Sequence, residues 1–202
     1  MVFHSIVDHM ARYWMIHTFP VAFFSLVTLI SCSPFMDLLP LLVWLHFPAY
    51  VLHQGEEYIY PGGFKHIFNT SIGKALTGGF ENIMTDEEIA FINVFIVWGL
   101  HITISILTQH VDVRWGIILP FFVLSNALLH CGSTISHRRY NPGFFTSIIL
   151  FIPLGSFTLF HFFKAGLTSW LYCSAALLFA IIVHTGIFLY FIFKGKELKC
   201  KL

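Results

Sequence analysis

The sequence carries very little charge. Lysine, arginine, aspartate and glutamate together make up 10% of its 202 residues, whereas 57% of the residues are hydrophobic. A soluble domain has about 25% charged residues, because it must present a polar surface to water. A chain with so few charges cannot cover such a surface, and the composition therefore predicts an integral membrane protein.

Two other classes of protein are excluded by what the sequence lacks. The formal net charge is only +1, and no basic stripe with interleaved aromatic residues runs along the chain, so we expect no nucleic-acid partner. The cysteines form no CxxC pair, which excludes a zinc ribbon, a dithiol redox motif and a recognisable disulfide framework. The four cysteines are Cys32, Cys131, Cys173 and Cys200.

Long apolar runs determine the expected fold. Six runs are long enough to cross a bilayer, which takes about 20 helical residues. They are 14–31, 36–54, 89–108, 115–133, 144–163 and 168–193. We therefore expect an all-α, polytopic membrane protein with about six transmembrane helices, forming one transmembrane domain over residues 1–202. Its one long connection, 55–88, contains a weakly amphipathic segment that is expected to lie on the membrane surface.

The distribution of positive charge predicts the orientation of these helices. Cytoplasmic loops of membrane proteins carry an excess of lysine and arginine. Six spans place nine of these residues on the side of both termini, and leave only Arg114 and Lys164 on the other side. We therefore expect both termini and the 55–88 loop to be cytoplasmic, in a multi-pass protein of the inner (cytoplasmic) membrane.

A histidine and two glutamates end the second apolar run. Glu56 and Glu57 lie three and four residues after His53, so we expect the three residues to share one face of a helix. In the predicted orientation they lie at the cytoplasmic end of that helix. Ionisable groups inside a membrane usually face the interior of the bundle and mark a functional site.

Three other spans bring polar residues to the same depth. Asn126 and His130 share one face of the fourth span, His184 lies past the middle of the sixth, and Asn93 lies near the start of the third. Asn126 is placed to donate a hydrogen bond to a developing oxyanion. The sequence does not determine whether His184 and Asn93 face the group on the second span.

Imidazole and carboxylate groups are ligands that suit zinc, iron or manganese. We expect a divalent metal ion, zinc or iron, to be held by His53, Glu57, His130 and His184. Glu56 is then either the general base of a reaction or a residue that orients one of the ligands. Asn126 and Glu56 are accordingly the expected catalytic residues.

Three interpretations without a metal are open. A histidine and a glutamate close together in low dielectric can serve as an acid–base pair, in a proton relay or in the shift of a double bond. A bundle can also bury such residues only to connect its helices. Glu56 and Glu57 lie near enough to the membrane edge for simple solvation of their carboxylates.

Other polar residues have structural interpretations. Thr85 and Glu88 have the spacing of a capping box before the third apolar run. The stretch YNPG at 140–143 predicts a turn that opens the fifth run, where Asn141 caps the helix or faces the site. His46 and His101 lie away from the expected depth of the site, and we assign them no part in it.

Several blocks of the sequence resemble the HXXEE family of bacterial membrane proteins. The motif that names the family is matched letter for letter by HQGEE at 53–57, and PGGF at 61–64 is similar to the block that follows it. NALLH at 126–130 and RYNPG at 139–143 resemble later blocks, so the HXXEE-like core is 38–184. The resemblance implies that the histidine and the two glutamates of the motif are functional, and it implies no particular activity.

These observations favour a membrane-embedded, metal-dependent enzyme, a hydrolase or an oxidoreductase. Its substrate is expected to be a membrane lipid or another hydrophobic small molecule, with the head group at the cytoplasmic mouth of the bundle. One alternative is a small transporter or proton-coupled carrier, which requires a polar path through the outer half; His46 and His101 are where such a path would begin. Another is a non-catalytic membrane subunit. The sequence predicts no particular oligomeric state.

Overall fold

The protein is a bundle of helices. The structure, a computed structural model, describes residues 13–77 and 83–200, and every regular element in these two ranges is helical. The long helices are α1 (Trp14–Phe35), α2 (Leu38–Tyr58), α3 (Asp86–His110), α4 (Val113–His137), α5 (Phe144–Lys164) and α6 (Trp170–Cys200). The expected all-α fold is confirmed. The predicted cytoplasmic location of the termini stays a prediction.

Five helices in the described residues are long and apolar enough to cross a membrane, where the sequence predicted about six. They are α1, α3, α4, α5 and the Trp170–Leu198 part of α6. The exception is α2, which has 21 residues but carries two histidines, two prolines and the polar letters of the motif. It tolerates these residues because other helices surround most of its C-terminal half, where 46–51 and 53–57 are buried.

The central helix of the bundle is α2, which packs against α1, α3, α4 and α5. A buried aromatic cluster joins these neighbours: Tyr50 of α2 lies 5.9 Å from Phe122 of α4 and 5.2 Å from Phe151 of α5, between ring centroids. Val97 of α3 and Ala180 of α6 complete the cluster. Five helices thus meet around one turn of α2, immediately before the motif.

The connection between α2 and α3 is held to the bundle. It contains the short helical segments Phe64–Ile67, Phe68–Gly73 and Lys74–Thr77, and residues 78–82 lie outside the described part. Phe68 is buried against Phe191 of α6, with 5.1 Å between the ring centroids. The location of this connection at the membrane surface stays a prediction.

The predicted capping box at the start of α3 is confirmed. Thr85 Oγ1 accepts a hydrogen bond from the backbone N–H of Glu88, and Glu88 Oε2 accepts one from the backbone N–H of Thr85. Lys194 of α6 and the Tyr190 hydroxyl bind the other oxygen of Glu88, at 2.5 and 2.6 Å. The cap therefore also fixes α6 to α3.

Candidate metal centre

Three predicted ligands come together at the C-terminal end of α2. Glu57 Oε1 lies 3.7 Å from Nε2 of His53, one turn earlier, and 3.3 Å from Nε2 of His130 on α4. The ligand atoms of the three residues all lie within 4.8 Å of one another. Bonds from a zinc ion to nitrogen or oxygen are about 2 Å long, so two ligands of one ion lie about 3 to 4 Å apart. The group can therefore hold one metal ion.

The group is shielded from solvent. His53, Glu57 and His130 are 0%, 5% and 4% exposed. The carboxyl of Glu56 is buried as well, at 6%. Solvation at the membrane edge, one of the open interpretations of the two glutamates, is therefore wrong: the last turn of α2 is covered by α4 and α5.

Glu56 points to the first turn of α5 and its preceding loop, away from the other three residues. Its Oε1 accepts hydrogen bonds from the Tyr140 hydroxyl at 2.6 Å and the backbone N–H of Phe145 at 3.0 Å. Its Oε2 accepts from the backbone N–H of Thr146 at 2.7 Å and the Thr146 hydroxyl at 2.5 Å. Free N–H groups at the start of a helix favour a carboxylate there. These contacts favour the orienting role of Glu56 over that of a general base.

Tyr140, in the loop before α5, is a donor in this arrangement. Burial and the hydrogen bond to the Glu56 carboxylate both raise the pKa of Tyr140. Its hydroxyl therefore keeps its proton at neutral pH and donates a hydrogen bond to Glu56.

Thr146 connects Glu56 to His53. The Thr146 hydroxyl donates its one hydrogen bond to Glu56. Nδ1 of His53 lies 2.7 Å from the same oxygen, so this nitrogen must carry the hydrogen and donate to Thr146. The neutral imidazole then has a lone pair on Nε2, the atom that faces Glu57. Metal-binding histidines are commonly fixed in this way, by a partner on the nitrogen that does not bind the metal.

A glycine closes the group on the side of the loop before α5. Gly143 has φ +98°, and a Cβ at this position would lie 2.6 Å from Cε1 of His53 and 2.7 Å from Nδ1 of His130. The two imidazoles meet edge to face beneath it, with 4.8 Å between their centroids. Only glycine fits both this backbone conformation and this space.

Beside the group lies a cavity of about 300 Å³. Its wall includes Glu57 and His130 from the group, and Asn126, Asn141 and His184 around it. Asn126 Nδ2 donates to the Tyr50 hydroxyl at 3.1 Å. The side-chain oxygens of both asparagines and Nε2 of His184 are buried and have no hydrogen-bond partner among the described residues. The cavity is therefore polar on the side of Glu57 and His130.

His184 stands apart from the other predicted ligands. Its ring lies 4.7 Å from that of Phe122, and its Nδ1 pairs with the carbonyl of Ala180 at 2.8 Å. It lines the cavity but does not belong to the group whose ligand atoms converge. Asn93 also lines the cavity, and it binds Gln54 and Tyr58. Both residues thus face the site without being part of the group of three.

Comparison with known proteins gives one match. Residues 44–158, more than half of the chain, match the family described as protein of unknown function with HXXEE motif. The chain belongs to the HXXEE family. The match lies within the predicted core 38–184. None of the curated proteins and none of the solved structures matches the chain.

The HXXEE match contains most of the site. The three motif residues, His130 and the loop before α5 lie within it, whereas His184 lies outside. The variable letters of the motif have structural roles in this chain. Gln54 is fully buried and binds Asn93 and Trp98, and Gly55 leaves room for the ring of Phe19, which a Cβ would approach to 3.2 Å.

Sequence reasoning missed three residues of this HXXEE site. Gly143 had a signal, since it ends the predicted YNPG turn, but the turn alone does not show that it lies over two histidines. Thr146 had none, because a threonine hydroxyl near a helix start usually bonds to its own backbone. Tyr140 lies in the same predicted turn, but the turn does not show that its hydroxyl reaches Glu56. Asn141, which was expected to cap the helix or face the site, lines the cavity.

Proposed function

We propose that this protein is a membrane-embedded, metal-dependent enzyme of the inner membrane that acts on a lipid or another hydrophobic small molecule. The observation that carries the proposal is the environment of Glu57. Its buried carboxylate contacts two imidazoles and no lysine or arginine within the described ranges. A buried carboxylate is costly without a compensating charge, and a divalent cation bound here would supply one and occupy all three residues at once.

The donor set restricts the chemistry. Two imidazoles and one carboxylate are typical of catalytic zinc and of non-haem iron, and three protein ligands leave further positions open. When bound, such an ion supplies an activated water or an oxidising centre. We favour zinc or iron, and both hydrolysis and oxidation stay open.

Residues around the ligands provide binding and proton transfer. The Asn126 amide is placed to bind a polar or anionic group of the substrate. Nε2 of His184 has no partner among the described residues, so it can take up or release a proton in the cavity. Glu56 holds His53 in position through Thr146, and we assign it no contact with the substrate.

The opposite wall of the cavity suits an apolar group. Aromatic and aliphatic side chains from the loop helices, α3 and α6 cover it; they are Phe64, Phe68, Ile92, Ile187 and Phe188. A pocket of this size is at the lower end of the range for small-molecule sites. It would hold a head group and the first part of an acyl or isoprenoid chain, with the remainder in the bilayer.

A purely structural role explains the site less well. Glu56 already joins α2 to the first turn of α5 and the loop before it, through four hydrogen bonds. The contacts of Glu57 with His53 and His130 are longer, at 3.7 and 3.3 Å, and the Nε2 of His53 that faces Glu57 carries a lone pair. Side chains selected only to connect helices would pair donors with acceptors.

Elemental analysis of the detergent-purified protein tests the proposal. The wild type is expected to contain close to one metal ion per chain, and His53→Ala and Glu57→Ala are expected to lose it while still folded. His161→Ala, which changes a histidine outside the group, is the matched control and should retain the metal. A wild type without metal after incubation with zinc, and with iron under reducing conditions, would refute the metal centre.

A further inference from the structure

A second group of buried polar residues lies outside the metal centre. His46 of α2 and His101 and Ser105 of α3 are fully buried. Nδ1 of His46, Nε2 of His101 and Oγ of Ser105 have no hydrogen-bond partner among the described residues. Thr158 of α5 completes the group, since its hydroxyl lies 3.2 Å from Nε2 of His46.

Unpaired polar atoms inside a bundle point to bound water. Leaving such an atom without a partner is costly, and buried waters commonly supply the missing hydrogen bonds. Three such atoms come from two neighbouring helices. Polar surroundings of this kind favour water, whereas apolar surroundings would stay dry.

The inner face of α3 extends this group in both directions. His101, Ser105 and Thr108 are separated by four and three residues, so they follow one another along one side of the helix. Thr108 lines a second cavity, of about 750 Å³, together with Asp112 and Lys164. Asn93, at the other end of the same helix, lines the cavity of the metal centre. Fifteen residues of helix, about 22 Å, separate the two cavities.

Tyr50 separates the buried group from the metal centre. Its ring centroid lies 4.8 Å from that of His101 on one side, and its hydroxyl accepts the hydrogen bond of Asn126 on the other. Tyr50 is 4% exposed and lines the cavity of the metal centre. Removing its ring would extend that cavity to the ring of His101.

We propose that His46, His101, Ser105, Thr108 and Thr158 form a polar file that holds water and conducts protons between the two cavities, and that Tyr50 closes its inner end. Nδ1–H of His101 donates to the carbonyl of Val97 at 2.8 Å, so Nε2 carries the lone pair. This nitrogen takes a proton from one water and returns it to the next, without any net chemical change. A displacement of the Tyr50 ring would connect the file to the site and give the site access to protons from the opposite side of the bundle.

Proton entry into liposomes tests the polar file. The protein is reconstituted with a pH-sensitive dye inside the vesicles, and a potassium diffusion potential drives protons inward. Tyr50→Ala is expected to acidify the vesicles faster than the wild type. Adding His101→Phe should return the rate to that of the wild type, because the apolar ring excludes water from the file.

Ile104→Ala in the Tyr50→Ala background is the matched control. Ile104 is a buried neighbour of His101 on α3 that packs against Val43, Leu119 and Phe162, so its loss weakens the core and removes no polar atom. The rapid acidification should persist in this control. Chromatographic profiles and thermal melts establish that each variant is folded, and Tyr50→Ser replaces Tyr50→Ala if the latter does not fold.

Two results would overturn the polar file. One is that vesicles with Tyr50→Ala acidify no faster than protein-free liposomes. The other is that the rapid acidification persists when His101→Phe is added. Both results are independent of the metal proposal, since His101→Phe leaves the three ligands intact and its metal content is measured separately. Loss of metal in the wild type would likewise leave the proton measurement unaffected.

Discussion

Gly143→Ala is the change that most directly probes the proposed metal centre. The new methyl group would lie 2.6 Å from Cε1 of His53 and 2.7 Å from Cε1 of His130. Ordinary contacts between carbon atoms are about 3.5 to 4.0 Å, so one or both rings must move by about 1 Å. His53 is held by Thr146, whereas Nδ1 of His130 has no hydrogen-bond partner among the described residues. We therefore expect His130 to move away from Glu57.

The expected loss of stability has two parts. An alanine with positive φ costs about 1 to 2 kcal/mol. Overpacking a buried site costs about 1 to 3 kcal/mol more. Gly143→Ala should therefore lower the free energy of unfolding by about 2 to 5 kcal/mol. Displacing one of three ligands should also weaken metal binding by at least the factor of about 10 to 100 that a disturbed ligand support costs.

Gly166→Ala is the matched control for the backbone part. Gly166 also has positive φ, +68°, but a Cβ there meets nothing within 4 Å. Its replacement should therefore cost only the conformational part, about 1 to 2 kcal/mol, and should leave the metal affinity unchanged. Thermal melts and competitive metal titrations of the two variants separate the clash from the backbone cost. Equal metal affinity in both would show that the loop does not lie over the histidines as described.

Two further substitutions test the supports of the site. Thr146→Val removes the hydroxyl between Glu56 and His53 at nearly constant volume, and it should weaken metal binding by about 10- to 100-fold in titrations, whereas Thr146→Ser should bind almost normally. Gln54→Leu leaves Asn93 Oδ1 and Trp98 Nε1 unpaired, so chemical denaturation should show a loss of about 1 to 3 kcal/mol for each, with the metal content unchanged. Normal metal affinity in Thr146→Val would show that Glu56 does not support metal binding through Thr146 and His53.

Most of the fold could be predicted from the sequence, because charges and turn residues end the apolar runs. The predicted span 144–163 coincides with Phe144–Lys164 to within one residue, since a glycine precedes it and a lysine ends it. The central helix differs from the others for a physical reason. Its surroundings are protein for much of its length, so hydropathy alone does not describe it.

The site could be predicted only in part, because depth in the membrane does not determine how a helix is rotated about its axis. His184 lines the cavity, yet its ring packs on Phe122 and does not join the other three predicted ligands. The pairing of His53 and Glu57 could be predicted, because both residues lie on one helix and their spacing places them on the same face. His130 joined them because α4 packs directly against α2.

The two adjacent glutamates of the motif show why the remaining contacts were beyond the sequence. Neighbouring residues on a helix point about 100° apart, so Glu56 and Glu57 cannot face the same partner. Here Glu56 meets the start of α5 and Glu57 meets His130 of α4. The Glu56 carboxylate therefore fixes α2, and holds His53 through Thr146, while the Glu57 carboxylate stays available to bind a cation. If Glu56 and Glu57 were to exchange partners, α2 would have to rotate by about a quarter turn. The fully buried Gln54 and its hydrogen bonds to α3 oppose such a rotation.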